Sequence, residues 1–244
     1  MAEYQHIEHG FEPVFDGHSR VLVLGSFPSV LSRANAFFYG NPQNRFWRVT
    51  AACVGEPVPP NEGELAVGGH RGLAEEHGGA VDSPVVAEEC GGASGDPGTA
   101  EECGGAADGF EVMEGSDAAA GGSRACGVGA ALRPVTLGES IAAKRALLLR
   151  HGIALWDVIE SCDIKGSSDA SIRNVVPAHI ERITDTAPVE RVLCNGGTAG
   201  RLYHRYLEER TGLAATVLPS TSPANASWPL ERLITRWREE LAGL

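Results

Sequence analysis

Two short segments hold the side chains best suited to chemistry. Gly25-Ser26-Phe27-Pro28-Ser29 leads into Asn41-Pro42-Gln43-Asn44-Arg45-Phe46-Trp47, with Arg33, Arg45 and Arg48 close in sequence. Aromatic faces stack on bases, amides and hydroxyls read base edges, and guanidinium groups meet phosphates. A loop of this composition therefore suits a nucleobase drawn out of its helix together with its phosphates. The second segment, Leu218 to Ala226, reads Leu-Pro-Ser-Thr-Ser-Pro-Ala-Asn-Ala. Its small hydroxyl residues between prolines form a rigid turn whose amides and hydroxyls can hold a phosphate without a lysine. Each segment also has a plain structural reading. Asn44 can be a helix N-cap, Phe46 and Trp47 can be core, and a Ser/Pro-rich stretch can be an ordinary turn.

The elements that must position these segments alternate between apolar β-branched runs and amphipathic helical stretches, the pattern of an α/β fold. Strands are expected at Arg20 to Gly25, Ile153 to Val158, Arg191 to Cys194 and Ala215 to Leu218. Helices are expected at Asn44 to Val54, Ser140 to His151, Gly197 to Arg210 and Pro229 to Leu241. This predicts an α/β three-layer sandwich built on a four-stranded, mostly parallel sheet flanked by helices. In such sheets ligands sit beyond the carboxyl ends of the strands. The segments leaving those ends are Ser26 to Ser29, Asp157 to Ser168, Asn195-Gly196-Gly197 and Pro219 to Asn225.

A net charge of -12 looks hostile to a nucleic-acid partner, because phosphate contact rests on Lys and Arg. The distribution of that charge removes the objection: 15 acidic and three basic residues lie between Glu56 and Val135, leaving 17 of each elsewhere. Within residues 61–133 more than half of the 31 glycines are found, and Glu-Glu-Cys-Gly-Gly-Ala occurs at Glu88 and again at Glu101. With few large apolar residues and no sustained period, that stretch cannot offset its ordering entropy. It is read as a disordered insertion into a single domain made of residues 1–60 and 134–244. The six cysteines form no CxxC pair, and Cys90, Cys103 and Cys126 match no zinc spacing, so reduced thiols and no metal are expected. No apolar run reaches the roughly 18 residues of a membrane span, and residues 1–10 lack a signal-like core. A cytoplasmic monomer is the expectation.

Taken in order, Gly-Ser-Phe-Pro-Ser, Gly-Asn-Pro-Gln-Asn-Arg-Phe-Trp, Leu-Trp-Asp-Val and Leu-Pro-Ser-Thr-Ser-Pro-Ala-Asn resemble the hypoxanthine-DNA glycosylase branch of the uracil-DNA glycosylase superfamily. The resemblance spans the chain apart from the insertion. It implies hydrolysis of the N-glycosidic bond of a deaminated base in DNA, without metal or cofactor. It also carries a departure: Phe27 stands where many superfamily members hold an attacking water with Asp or Asn. The resemblance moves that duty to Asn41 or Asn44. Tyr39, or failing it Phe38, is placed like the ring that stacks on the flipped base, and Ser26 belongs to the same base-binding loop. Ser29 occupies the place of a bulky Tyr in strict uracil enzymes, leaving room for a purine. Asp157 falls where relatives read the base edge with Asn; its carboxylate can accept the N1 proton of hypoxanthine, which adenine lacks. Its structural alternative is to cap the turn after its strand. Arg45, Ser220, Ser222 and Asn225 are implied DNA contacts, and Trp228 core.

An N-glycosidic bond breaks through an oxocarbenium-like state, so flipping, desolvation and hydrogen bonding to the base carry much of the barrier reduction. An amide can orient water but is no strong base. With no Lys in the motif blocks to form a Schiff base, a monofunctional hydrolase is expected. Rivals are removal of uracil or a mismatched pyrimidine, a DNA-binding module without catalysis, and a hydrolase using Cys194 as nucleophile.

Overall fold

The computed structural model describes residues 3–67 and 132–243. In chain order these form β1 (Gln5–Glu8), β2 (Val21–Gly25), α1 (Val30–Ala34), α2 (Phe46–Val54), β3 (Leu65–Val67), β4 (Leu132–Pro134) and α3 (Leu137–Arg150). They continue as β5 (Ile153–Asp157), β6 (Ile159–Ile164), β7 (Arg173–Pro177), α4 (Glu181–Thr184), β8 (Arg191–Asn195), α5 (Gly197–Tyr206), α6 (Glu208–Thr211), β9 (Ala215–Leu218) and α7 (Leu230–Leu241).

The core sheet has four parallel strands in the order β5-β2-β8-β9, flanked by helices. Every residue of β2 and β5 is buried, which is why both read as continuous apolar runs rather than as alternation. The register pairs Gly25 with Asp157 and Asn195 with Leu218. The carboxyl ends of the four strands therefore come out together. Helix α7 packs on α2 through its buried face of Leu233, Trp237 and Leu241, bringing the second chemical segment beside the first.

A second, antiparallel sheet of order β1-β6-β7 was not expected from sequence. Ile159–Ile164 is buried except at Glu160 and Asp163, its period of two broken by register shifts against β7, and it follows β5 after a single residue. Val158 makes that transition, donating its N–H to Gly25 O at 3.0 Å. Gly197 to Arg210, expected as one helix, breaks at Leu207 into α5 and α6.

The expected insertion 61–133 is too wide at both ends. Leu65, Ala66 and Val67 pair antiparallel with Pro134, Arg133 and Leu132, Asn61 Oδ1 accepts from Lys144 Nζ at 3.1 Å, and Ser140 Oγ donates to Pro60 O at 2.8 Å. These ties put residues up to 67 and from 132 onward in the compact unit. The expected disorder of the remaining stretch, with Cys90, Cys103 and Cys126, lies outside the described residues. Val67 and Leu132 face each other across the ladder, so a two-residue Asn-Gly turn can join them. A chain with residues 68–131 replaced by Asn-Gly is expected to keep the parent's melting temperature within a few degrees. Thermal unfolding checks this; an insoluble product would make the stretch part of the core.

Candidate active site

The strand ends and the loops leaving them enclose a cleft of about 520 Å³, within the ~300–1,000 Å³ range of small-molecule sites. Gly25 at the end of β2, Asp157 at the end of β5, Asn195 at the end of β8 and Ser220 after β9 all line it. This is where a parallel sheet places its ligand.

Asn44 and Asn41 both line the cleft but differ in their bonding. Asn41 Oδ1 accepts from Gln43 N at 2.9 Å in an exposed turn. Asn44 Oδ1 accepts from Phe46 N at 3.0 Å and from Thr221 Oγ1 at 3.0 Å. The capping reading of Asn44 is met by its oxygen, although Asn44 lies two residues ahead of the helix start and Arg45 holds the N-cap position; among the described residues its Nδ2 keeps both protons for a ligand. Thr221 is fully buried, and its hydroxyl in turn accepts from Asn195 Nδ2 at 2.9 Å. The same Asn195 amide donates to Tyr39 Oη at 2.9 Å, and Asn195 Oδ1 accepts from Thr221 N at 2.9 Å. Hydrogen bonds aligned this way polarise one another, sharpening Asn44 as a donor. Asn195 was marked in the sequence only as the start of a Gly-Gly turn.

Tyr39 stacks on Phe46, centroids 4.0 Å apart. Burial, then the nearby Asp157 charge, hold its phenol well above the ordinary tyrosine value, so it stays a neutral hydroxyl. Phe38 also lines the cleft but is 3% exposed and packs edge-on against Phe11 and Trp156. Phe27 lines the cleft as an apolar wall, with the Arg33 guanidinium 5.8 Å from its centroid. Ser29 Oγ accepts from Ser32 N at 3.2 Å as the N-cap of α1. Ser26 Oγ donates to the Asp169 carboxylate at 3.0 Å. Asp169 and its neighbours Ser167 and Ser168 complete one wall of the cleft; nothing beside Asp169 along the chain distinguishes it from a loop carboxylate.

Asp157 is 5% exposed and lines the cleft. Its Oδ2 lies 2.9 Å from Nε2 of the buried His9, a partner 148 residues away in sequence and invisible there. Asp157 as a simple turn cap is not what the structure shows.

Two expected DNA contacts need correction. Arg45 is turned inward: its guanidinium donates to the backbone carbonyls of Thr221, Ser222, Asn225 and Trp228. It clamps the second segment in place rather than offering charge to phosphate. Asn225 is likewise spent within its own turn, donating to Ser220 O at 2.9 Å and accepting from Ser227 Oγ at 3.0 Å. Ser220 and Ser222 do line the cleft, although each hydroxyl accepts a bond from a nearby backbone N–H. Cys194 is buried and its thiol is pushed up to about 12 by desolvation, which removes it as a nucleophile.

No family model matches the chain. The fold is shared with a Methanosarcina acetivorans protein provisionally assigned as a uracil DNA glycosylase and solved by NMR, which superposes with a TM-score of 0.53, over 97% of both chains, at 20% identity. More particular likeness comes from two curated proteins named hypoxanthine DNA glycosylase. One, from Methanosarcina barkeri, is 41% identical over 51 residues; the other, from Methanosarcina acetivorans, is 44% identical over 50. These matches cover 21% and 20% of this chain and 32% of the length of each relative.

Proposed function

We propose that this protein is a monofunctional DNA glycosylase that hydrolyses the N-glycosidic bond of a deaminated base, hypoxanthine first, acting as a cytoplasmic monomer on DNA. The observation that carries this reading is the cleft itself: a buried carboxylate, Asp157, faces a polar chain ending in Asn44 across a space lined by Phe27 and Tyr39. A flipped base enters between these groups, stacking on aromatic surface while Asp157 accepts its ring N–H. Asn44 Nδ2 fixes the oxygen of the attacking water. Desolvation in the cleft and hydrogen bonds to the departing base supply most of the barrier reduction, since the water attacks an oxocarbenium-like carbon and needs no strong base. No lysine lines the cleft among the described residues, which supports hydrolysis rather than lyase chemistry through a Schiff base. The likeness to proteins named hypoxanthine DNA glycosylase supports the choice of base.

Duplex oligonucleotides carrying inosine, uracil, xanthine or a G·T mismatch, incubated with the protein and treated with alkali, test the proposal. Strand cleavage at inosine above all others is expected. Cleavage confined to uracil or the mismatch would replace the base assignment, and binding without cleavage of any would replace the enzyme with a binding module.

A further inference from the structure

His9 carries no motif, yet it is the most enclosed titratable side chain beside the cleft, 1% exposed. Its Nδ1 lies 3.0 Å from Phe11 O and its Nε2 lies 2.9 Å from Asp157 Oδ2. A carbonyl oxygen only accepts, so Nδ1 bears a proton and points it at Phe11. One further proton lies between Nε2 and Asp157 Oδ2, and its position decides what Asp157 presents to a base. On the carboxyl, Asp157 is neutral and can donate; on the imidazole, Asp157 is a carboxylate and can only accept.

An imidazole is ordinarily a stronger base than a carboxylate, which puts the shared proton on the ring. Four aromatic rings stand about it, with centroids at 4.1 Å (Trp156), 4.3 Å (Phe11), 5.9 Å (Phe38) and 6.3 Å (Phe27), and Asp157 is the partner of Nε2 among the described residues. On the other side, Asp157 Oδ1 leans over Gly25 so closely that a Cβ there would stand 2.1 Å from it. The remaining titratable neighbours facing this carboxylate are Tyr39, held neutral, and Asp169, bonded to Ser26.

We propose that His9 is a positioning residue that donates from both ring nitrogens and holds Asp157 as an accepting carboxylate, so that the pair separates hypoxanthine from adenine. The specificity part rests on the glycosylase reading above. Hypoxanthine offers N1–H to Asp157, whereas adenine offers a lone pair at N1 and is repelled. Without a donor at His9, Asp157 Oδ2 is left unpaired in the interior and the acceptor it presents to a base is no longer fixed.

Two measurements on the full chain test this. In 15N NMR of the ligand-free protein at neutral pH, both His9 ring nitrogens are expected to show protonated shifts; a bare Nε2 overturns the proposal whatever the activity. In excision assays, His9→Phe is expected to lower the inosine-to-adenine preference at least tenfold, and His9→Gln, which restores a neutral donor, to recover part of it. In an Asp157→Asn background the His9→Phe change is expected to add less than twofold, because His9 acts through Asp157. An unchanged base preference, or an equal loss in both backgrounds, overturns the positioning role. If the wild-type chain cuts no inosine, the glycosylase reading and its specificity part fail, while the ring proton is still decided by NMR.

Discussion

Asn44→Ala is expected to lower inosine excision by roughly 10²–10⁴, the range for loss of one positioned polar group in a transition state, while duplex binding persists. Asn44 stands at the end of the relay from Asn195 through Thr221, which fixes its amide oxygen and leaves its N–H groups facing the cleft. Alanine removes the donor and also exposes the N–H of Phe46, so a modest loss of stability accompanies the kinetic one. Asn41→Ala makes the contrast. Its amide only closes an exposed turn at Gln43, so excision is expected to stay within about twofold, as for an ordinary surface change. Single-turnover rates with inosine duplex, set beside filter-binding affinities, separate the two. Equal activity in both variants would remove Asn44 from the mechanism; a larger loss at Asn41 would transfer the role to it.

Gly25→Ala is expected to be as damaging for a different reason. The added methyl would stand 2.1 Å from Asp157 Oδ1 and 3.5 Å from Tyr39 Oη, and neither neighbour can move aside. Asp157 is the register partner of Gly25 across β5 and is held behind by His9; Tyr39 is held by Phe46 and Asn195. The backbone of β2, paired on both edges, must then shift. Overpacking of this kind costs about 1–3 kcal/mol, and a displacement near 1 Å at a reacting site costs on the order of 10²-fold in rate. A lowered Tm together with an excision rate reduced at least a hundredfold is the expected result. Unchanged melting and rate would show that the carboxylate is free to move, which would also weaken its assignment as base reader.

Strands β2 and β5 were legible because they are buried throughout and read as unbroken apolar runs; β8 and the less covered β9 were short apolar runs ahead of Asn-Gly-Gly and Pro-Ser turns. The antiparallel sheet was not, because only Val158 separates β6 from β5 and the register shifts in β6 leave it no clean period of two. The candidate cleft followed in part from the sheet: each of the four segments leaving the strand ends lines it, joined by Tyr39, Asn41 and Asn44 from the stretch ahead of α2 and by Asp169. Side-chain roles within those segments were less accessible. Arg45 and Asn225 have the chemistry of DNA contacts, but the turn after β9 leaves carbonyls that need donors, and that local demand claims both side chains.

Sequence alone determined the order of the four parallel strands, the placement of chemistry at their carboxyl ends, and Asn41, Asn44 and Asp157 as the residues to weigh. Those conclusions rest on local patterns and motif order, which a linear string preserves. Tertiary structure separated the two asparagines by their bonding, turned Arg45 inward, brought Thr221 and Asn195 into the relay and set His9 against Asp157. Each of those outcomes depends on which donor meets which acceptor across more than a hundred residues of chain or between separate strands. Only the closed sheet, with its register and burial, fixes those pairings.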